Sequence, residues 1–200
     1  IGKGFFLLLV GLTKKVVFAD TFAVWATNIF DHAIAPTFFE AWIGSLAYTF
    51  QLYFDFSGYT DMALGTALMF NIMLPLNFNS PYKALDIQDF WRRWHMTLSR
   101  FLKDYLYIPL GGNRGGELRV NNNLLIVFLL GGLWHGAGWT FVIWGGLHGV
   151  AAIIFRAWTK IDITLPRAFA WFITFNFVNA AWIFFRATTL HDAFKILKGM

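Results

Sequence analysis

The stretch that decides the fold is VNNNLLIVFLLGGLWHGAGWTFVIWGGLHGVAAIIF, residues 120–155. Its 36 residues include no Asp, Glu, Lys or Arg. A helix that crosses a bilayer needs roughly 17–25 mostly apolar residues, so this stretch is long enough for two membrane spans. Glycines are concentrated between Gly131 and Gly138. Because glycine permits a sharp change of backbone direction, the sequence predicts two helices joined by a turn there.

The composition of the 200-residue chain is typical of an integral membrane protein. Hydrophobic residues make up 58% and charged residues 14%, and the mean hydropathy is +0.54. A soluble domain has about 25% charged residues, which it needs to cover its surface. The predicted fold is therefore all-α, a polytopic transmembrane helical protein with short, broken and interfacial amphipathic helices. Together with 120–155, the apolar stretches that give five or six membrane segments are 4–30, 41–54, 62–82 and 168–185.

Three of these stretches allow expectations about helix boundaries. Three charged residues interrupt 4–30. It is therefore either one span whose charges face protein or a short helix followed by a loop and an interfacial helix. The helical pattern that begins at residue 41 is predicted to end at Ser57–Gly58. A separate segment follows over 62–82, and Pro75 and Asn77 are expected to end its helix early.

Polar side chains at the predicted membrane depth indicate a cavity rather than a simple anchor. Each of them alone is explained by a hydrogen bond to a neighbouring helix, but their clustering in two segments favours a polar cavity. Asp55 and Asp61 either shape that cavity or pair with a basic residue. The polar residues concerned are Gln51, Asp55, Ser57, Asp61, Asn71, His135, His148 and Asn176.

The segment 77–123 is basic and amphipathic, and it carries seven of the 16 Lys and Arg residues. Basic loops between apolar segments lie on the cytoplasmic side of a membrane, so we expect no nucleic-acid partner. Asp86 is a predicted helix N-cap. Projected on one helix, Phe90–Tyr105 has an aromatic, apolar face and a basic remainder, which is typical of an interfacial helix. His95 lies at the edge of the apolar face, and Ser99 lies one turn further along that edge.

His135, in GGLWHGAGW at 131–139, is the strongest candidate for chemistry. A neutral imidazole is the usual general base near pH 7, although a histidine packed at a seam of small residues is the structural alternative. His148 follows thirteen residues later and would point roughly 220° away on an unbroken helix. Since the pair would not converge and the chain has no cysteine, no metal site and no bound cofactor are expected.

Several motifs in a fixed order resemble the membrane-bound O-acyltransferase (MBOAT) family, and specifically its bacterial alginate O-acetyltransferase-like branch. The D-alanyl transferases of teichoic acid modification are similar in the same pattern. The resemblance runs from about Gly11 to Gly149. The motifs that carry it are QLYFDFSGYTD at 51–61, NFNSPY at 77–82, FWRRWHMTLS at 90–99, LKDYLYIPLGGNR at 102–114 and GLWHG at 132–136.

The resemblance implies a helical membrane core with a funnel that leads from the cytoplasmic side to a deep histidine. His135 matches that histidine, and His95 matches the second histidine of this branch. The resemblance also implies an acyl thioester co-substrate such as acetyl-CoA. Residues expected to support the site or line the tunnel are Trp134, Asp55, Ser99, Arg92 and Arg93.

The predicted function is transfer of an acetyl group from a cytoplasmic donor to hydroxyls of an exported polysaccharide such as alginate. His135 would take the proton of the acceptor hydroxyl. Arg92 and Arg93 would either bind an acidic donor or anchor the orientation in the bilayer. The expected location is the bacterial inner membrane, with several spans and a periplasmic acetyl-transferring partner protein. We treat 1–200 as one partial membrane domain from inside a longer chain, since it begins at Ile1 without an initiator Met.

Two other classes of function remain open at the level of the sequence. A transporter or channel would use Asp55, Asp61 and the histidines as an intramembrane proton relay. A passive membrane subunit of a polysaccharide-modifying complex would need none of them for catalysis. The acceptor is equally open among alginate, another exported polysaccharide, teichoic acid and a partner protein.

Overall fold

The computed structural model describes residues 1–161 and 163–200, and over those residues it contains helices but no β-strand. The all-α prediction is therefore confirmed. The α-helices are α1 Gly2–Thr13, α2 Asp20–Thr27, α3 Phe38–Met69, α4 Ile87–Arg93, α5 Met96–Leu102, α6 Glu117–His135, α7 Trp139–Trp158, α8 Arg167–Arg186 and α9 Leu190–Gly199. The π-helical turns are Lys14–Ala19, Asn28–His32 and Lys103–Tyr107, and Pro81–Lys83 is a 3-10 turn.

Two helices in the described part of the chain, α7 and α8, are long and apolar enough to cross a membrane. The expectation of five or six membrane segments stays a prediction.

The chain divides into two compact units. The first unit comprises Ile1–Asn77 and His191–Met200, and the second unit comprises Phe78–Leu190. The extent of the predicted membrane domain, 1–200, stays a prediction, and each unit is described here by itself.

The first unit begins with one continuous helical run, from α1 through α2 to His32. Of the two alternatives for 4–30, the helix whose charges face protein is the one observed. Lys14 Nζ lies 2.6 Å from an Asp61 carboxylate oxygen, and Lys15 Nζ lies 2.6 Å from Asp55 and 3.0 Å from Asp20. The lysines are thus paired with carboxylates, two of them on α3.

Helix α3 is a single helix of 32 residues, so the predicted end at Ser57–Gly58 and the separate segment over 62–82 are wrong. It begins at a capping box in which the Thr37 backbone N–H donates to Glu40 at 2.8 Å. Ser57 and Gly58 are both buried within it, and Gly58 lies so close to α1 that an added Cβ would be 2.7 Å from the Gly11 carbonyl oxygen. After Met69 the backbone turns at Asn71, whose φ of 60° lies in the left-handed region that Asn tolerates.

Glycines let α1 and α3 approach closely within the first unit. A Cβ added to Gly11 would lie 2.5 Å from the Gly58 carbonyl oxygen, and one added to Gly4 would lie 2.6 Å from that of Gly65. Because Gly4 meets Gly65 and Gly11 meets Gly58, the two helices run antiparallel. Close contact of small residues is a common way for apolar helices to associate in a bilayer.

The second unit contains the helical hairpin that residues 120–155 predict. Helix α6 ends at His135, and α7 begins at Trp139, so the predicted turn is confirmed. Gly132 and Gly145 lie against each other's helix backbone, at Phe141 and Phe128, where a larger residue would not fit. This hairpin holds His135 at the end of a helix that is fixed by close backbone packing.

Candidate active site

The segment predicted as one interfacial helix, Phe90–Tyr105, is instead α4, α5 and a π-helical turn. The prediction of a continuous helix is wrong because the backbone breaks between Arg93 and Met96. At the break, His95 has φ +44° and ψ +55°, in the left-handed region. A non-glycine residue in that conformation costs about 1–2 kcal/mol, so the surrounding contacts must hold it.

Hydrogen bonds from outside the helical ladder stabilise the break. The Asn79 backbone N–H donates to the Arg93 carbonyl at 3.0 Å. The Ser99 hydroxyl donates to the carbonyls of Trp91 at 3.2 Å and Trp94 at 3.4 Å. In an uninterrupted α-helix these two carbonyls would accept from the backbone N–H groups four residues later. Ser99 therefore replaces helical hydrogen bonds with its own.

The broken segment and the α6–α7 hairpin enclose a cavity of about 290 Å³ within the second unit, which we call the Trp91 cavity. Its wall is largely apolar, and its polar and charged groups include Arg92, Ser99, Lys103 and His135. Trp91 and Trp144 form part of the aromatic lining. The structure thus brings three of the predicted site residues, His135, Ser99 and Arg92, to one cavity.

His135 is the half-buried C-terminal residue of α6, and aromatic rings surround its imidazole. The ring centroid lies 4.9 Å from Trp134, 5.2 Å from Trp144 and 5.0 Å from Phe185, each in an edge-to-face arrangement. Because these rings limit its rotation while one side meets the cavity, the imidazole is oriented toward whatever the cavity holds.

His95 is close enough to His135 for their charges to interact, although it is not among the residues that line the Trp91 cavity. Burial lowers the pKa of His95 below the ordinary value of 6.5, because the charged form loses hydration. His95 is therefore neutral at physiological pH, a form in which one ring nitrogen donates and the other accepts a hydrogen bond.

Arg92 and Arg93 are adjacent in sequence but differ in their contacts. Arg93 donates from Nε to Asp89 at 2.8 Å and from Nη1 to the Asn79 carbonyl at 3.3 Å. Arg92 is exposed and lines the Trp91 cavity. The guanidinium that can meet an anionic group in the cavity is therefore that of Arg92, whereas Arg93 ties α4 to the segment that precedes it.

Trp134 and Asp55 are not brought into the Trp91 cavity. Trp134 is 65% exposed and contacts His135 from outside the cavity lining. Asp55 belongs to the first unit, where it pairs with Lys15. Of the two open interpretations for Asp55 and Asp61, pairing with a basic residue is therefore the one observed.

The sequence interpretation missed Trp91 and Trp144 as site residues. Trp91 lies on the predicted apolar face and was indistinguishable there from a side chain that faces lipid. Its indole Nε1–H donates to His148 Nδ1 at 3.3 Å, which links α4 to α7. His148 is among the polar residues at the predicted membrane depth, but no spacing rule connects it with a tryptophan 57 residues earlier.

No metal centre is evident in the described residues: nowhere in 1–161 or 163–200 do three His, Asp or Glu side chains form a group that could hold a metal ion.

The model of the MBOAT, membrane-bound O-acyltransferase family, matches residues 4–191. The chain therefore belongs to the membrane-bound O-acyltransferase family. It is 63% identical to a peptidoglycan O-acetyltransferase of Helicobacter pylori, over 100% of this chain and 39% of the relative. It is 49% identical to a probable alginate O-acetylase of Azotobacter vinelandii, over 95% of this chain and 38% of the relative. A teichoic acid D-alanyltransferase of Bacillus subtilis is 33% identical over 72% of this chain and 40% of the relative.

The chain spans about two fifths of the length of these relatives. The resemblance drawn from the sequence motifs is confirmed at the level of the family.

Proposed function

We propose that the protein is a membrane O-acyltransferase that moves an acetyl group from a thioester donor, such as acetyl-CoA, to a polysaccharide hydroxyl. The observation that carries this proposal is the Trp91 cavity, where His135 lies in a largely apolar wall that also includes Arg92 and Lys103. An apolar wall suits an acyl group, and positive side chains suit an anionic donor. Membership of the family supplies the reaction class.

In the proposed reaction, His135 removes the proton of the acceptor hydroxyl while its oxygen attacks the thioester carbonyl carbon. The new C–O bond forms, and the carbonyl oxygen takes up negative charge in a tetrahedral intermediate. The intermediate then collapses, the C–S bond breaks, and the leaving thiolate takes the proton from the imidazolium. His135 returns to its neutral form, so the cycle balances without an additional reactant.

His95 is the proposed donor to the oxyanion. Burial keeps its imidazole neutral at physiological pH, and a neutral imidazole can donate one N–H. A preorganised donor in a site of low polarity stabilises developing charge more strongly than water does. Arg92, rather than Arg93, is the proposed contact for an anionic donor because Arg93 is already paired with Asp89.

For the acceptor we propose a cell-envelope polysaccharide, with peptidoglycan ahead of alginate. The support is the higher identity to the peptidoglycan enzyme, 63% against 49% for the alginate one. The location that fits this acceptor is the bacterial inner membrane, with several spans and a periplasmic acetyl-transferring protein as partner.

The test is to express the full-length protein in a strain that lacks the activity and to measure ester-linked acetate on purified peptidoglycan and on alginate. His135→Ala is expected to reduce the acetate to the level of the empty strain while the protein level in membranes stays normal. His32→Ala, which removes an exposed histidine of the first unit, is the matched control and is expected to behave like wild type. Acetate at the wild-type level in His135→Ala would overturn the proposed base.

If the protein were a transporter, a different experimental result would be expected. It requires a solute or proton flux in liposomes that contain the purified protein, without transfer of an acyl group. Asp55 and Asp61 each pair with a lysine at 2.6 Å, which does not favour them as members of a proton relay.

A further inference from the structure

His148 is a fully buried histidine that the proposed reaction does not use. Its exposed fraction is 0%, and its ring lies among aromatic side chains of α4, α6, α7 and α8. Burying a polar ring in an apolar surrounding is unfavourable unless the ring makes a hydrogen bond. The bond that His148 makes is with the Trp91 indole, whose Nε1–H donates to Nδ1 at 3.3 Å.

This hydrogen bond defines the state of the imidazole. Nδ1 can accept a hydrogen bond from the indole N–H only if Nδ1 itself carries no hydrogen, so the ring is neutral with its hydrogen on Nε2. Within the described part of the chain, Nε2 is buried and has no hydrogen-bond partner. The structural use of His148 therefore depends on one atom, the acceptor Nδ1.

Trp91 connects this buried histidine with the cavity. Its side chain lines the Trp91 cavity, and its own carbonyl accepts the Ser99 hydroxyl at 3.2 Å. Trp144 forms a second connection, because its ring centroid lies 5.0 Å from His148 and 5.2 Å from His135. Two rings of the cavity wall thus contact His148 directly, and one of them also contacts the proposed base.

We propose that His148 is a positioning residue for acyl transfer, which orients the Trp91 indole by accepting its N–H and so fixes the cavity wall beside His135. This inference rests on the proposed function. Without the acceptor, the indole N–H would lose its partner and would turn toward another acceptor, such as one on a molecule in the cavity. The wall would then change shape although His148 itself touches neither donor nor acceptor.

Two substitutions separate the hydrogen bond from simple filling of space. In His148→Asn, the amide oxygen stands near the position of Nδ1 and can accept the indole N–H, while ring volume is lost. In His148→Phe, ring volume is kept, and the acceptor is lost. Positioning by hydrogen bond predicts that Asn preserves function better than Phe, whereas a packing role predicts the reverse order.

The experiment compares both variants with wild type and Trp91→Phe in the purified full-length protein, measuring kcat and KM for acetyl transfer from acetyl-CoA. His148→Phe is expected to lower kcat about fivefold to tenfold, as loss of one hydrogen bond would, with a smaller change in KM. His148→Asn is expected to stay within about threefold of wild type. In a Trp91→Phe background, His148→Phe is expected to cause little further loss in kcat, because the bond is already absent.

Thermal unfolding of the same five proteins, including the variant that carries both Phe substitutions, keeps the inference testable if acetyl transfer is not observed. A Trp91–His148 bond predicts that the two Phe substitutions are non-additive in their effect on the melting temperature, whatever the reaction is. Acetyl transfer that is absent in wild type refutes the proposed function alone. Additive melting shifts, or a kcat for His148→Asn below that of His148→Phe, refute the positioning role.

Discussion

Replacing Ser99 by Ala tests whether one hydroxyl holds the break between α4 and α5. Ser99 Oγ–H is shared between the Trp91 and Trp94 carbonyls, at 3.2 and 3.4 Å. Because a single proton serves both acceptors, the loss amounts to about 1–2 kcal/mol. That loss is similar in size to the roughly 1–2 kcal/mol that the left-handed backbone of His95 costs. Ser99→Ala should therefore raise the population of the locally open segment, relative to the closed form with the break, by about fivefold to thirtyfold.

The measurement is amide hydrogen exchange over residues 90–102 in the purified full-length protein, together with kcat/KM for acetyl transfer. Ser99→Ala is expected to speed exchange at the end of α4 and the start of α5 by the factor given above, because local opening becomes easier. Ser99→Thr keeps a hydroxyl and should stay close to wild type. Thr66→Ala removes a hydroxyl that donates to the Met62 carbonyl in the first unit and should leave residues 90–102 unaffected.

Exchange rates over 90–102 that agree within twofold between Ser99→Ala and wild type would refute this reasoning. The break would then be held by other contacts, such as the hydrogen bond from Asn79 to the Arg93 carbonyl.

Three further perturbations have definite expected results. Gly11→Ala places a Cβ 2.5 Å from a carbonyl oxygen of α3 and should destabilise by about 1–3 kcal/mol in thermal or denaturant unfolding, while Gly2→Ala, with open space, should not. Lys14→Met leaves the partly buried Asp61 unpaired and should lower the melting temperature, whereas Lys14→Met with Asp61→Leu should recover most of the loss. The pH profile of kcat/KM should show no limb from His95 at or above pH 6.5, because burial lowers the pKa of its imidazole below that value; a limb at or above 6.5 that disappears in His95→Gln would contradict this.

The α6–α7 hairpin could be predicted from the sequence because its signals are local. An uncharged run of 36 residues requires helices, and the glycines between 131 and 138 indicate where the run turns. The same local logic fails at Gly58, where the sequence predicts the end of a helix and the structure has a continuous one. There the small residue serves a distant contact, with Gly11 on α1, and no pattern within α3 reveals that partner.

The predicted interfacial helix over 90–105 is a second case in which the sequence pattern did not give the observed structure. A helical projection assumes that the backbone continues, and the apolar face it gave for Phe90–Tyr105 was a real property of the residue order. The break at His95 depends on Asn79, which lies fourteen residues before the carbonyl it contacts, and on a side-chain hydroxyl that competes for backbone acceptors. Neither interaction contributes to hydrophobic periodicity, so the projection could not detect them.

The sequence could predict which residue types belong to the candidate site, but it could not predict which neighbour each side chain contacts. Of the predicted site residues, His135, Ser99 and Arg92 line one cavity. Arg92 and Arg93 have the same charge, yet about 100° of helical rotation directs Arg93 back to Asp89, one turn earlier. Charge alone could not separate a cavity residue from a structural one, because the distinction depends on which neighbour each side chain reaches.

Trp91 shows that the orientation of a side chain, as well as its identity, is fixed at the candidate site. Its backbone carbonyl accepts a hydrogen bond from Ser99 and its indole donates one to His148, so two hydrogen bonds to different helices constrain the backbone and the side chain of one residue. An apolar face that merely met lipid would need neither bond, since aromatic rings pack in many orientations at little cost. A cavity wall beside the imidazole that we propose as the base needs one orientation, because a small displacement of reacting groups reduces the rate strongly. The presence of both hydrogen bonds on Trp91 therefore favours a wall whose shape is used, over a surface that only fills space.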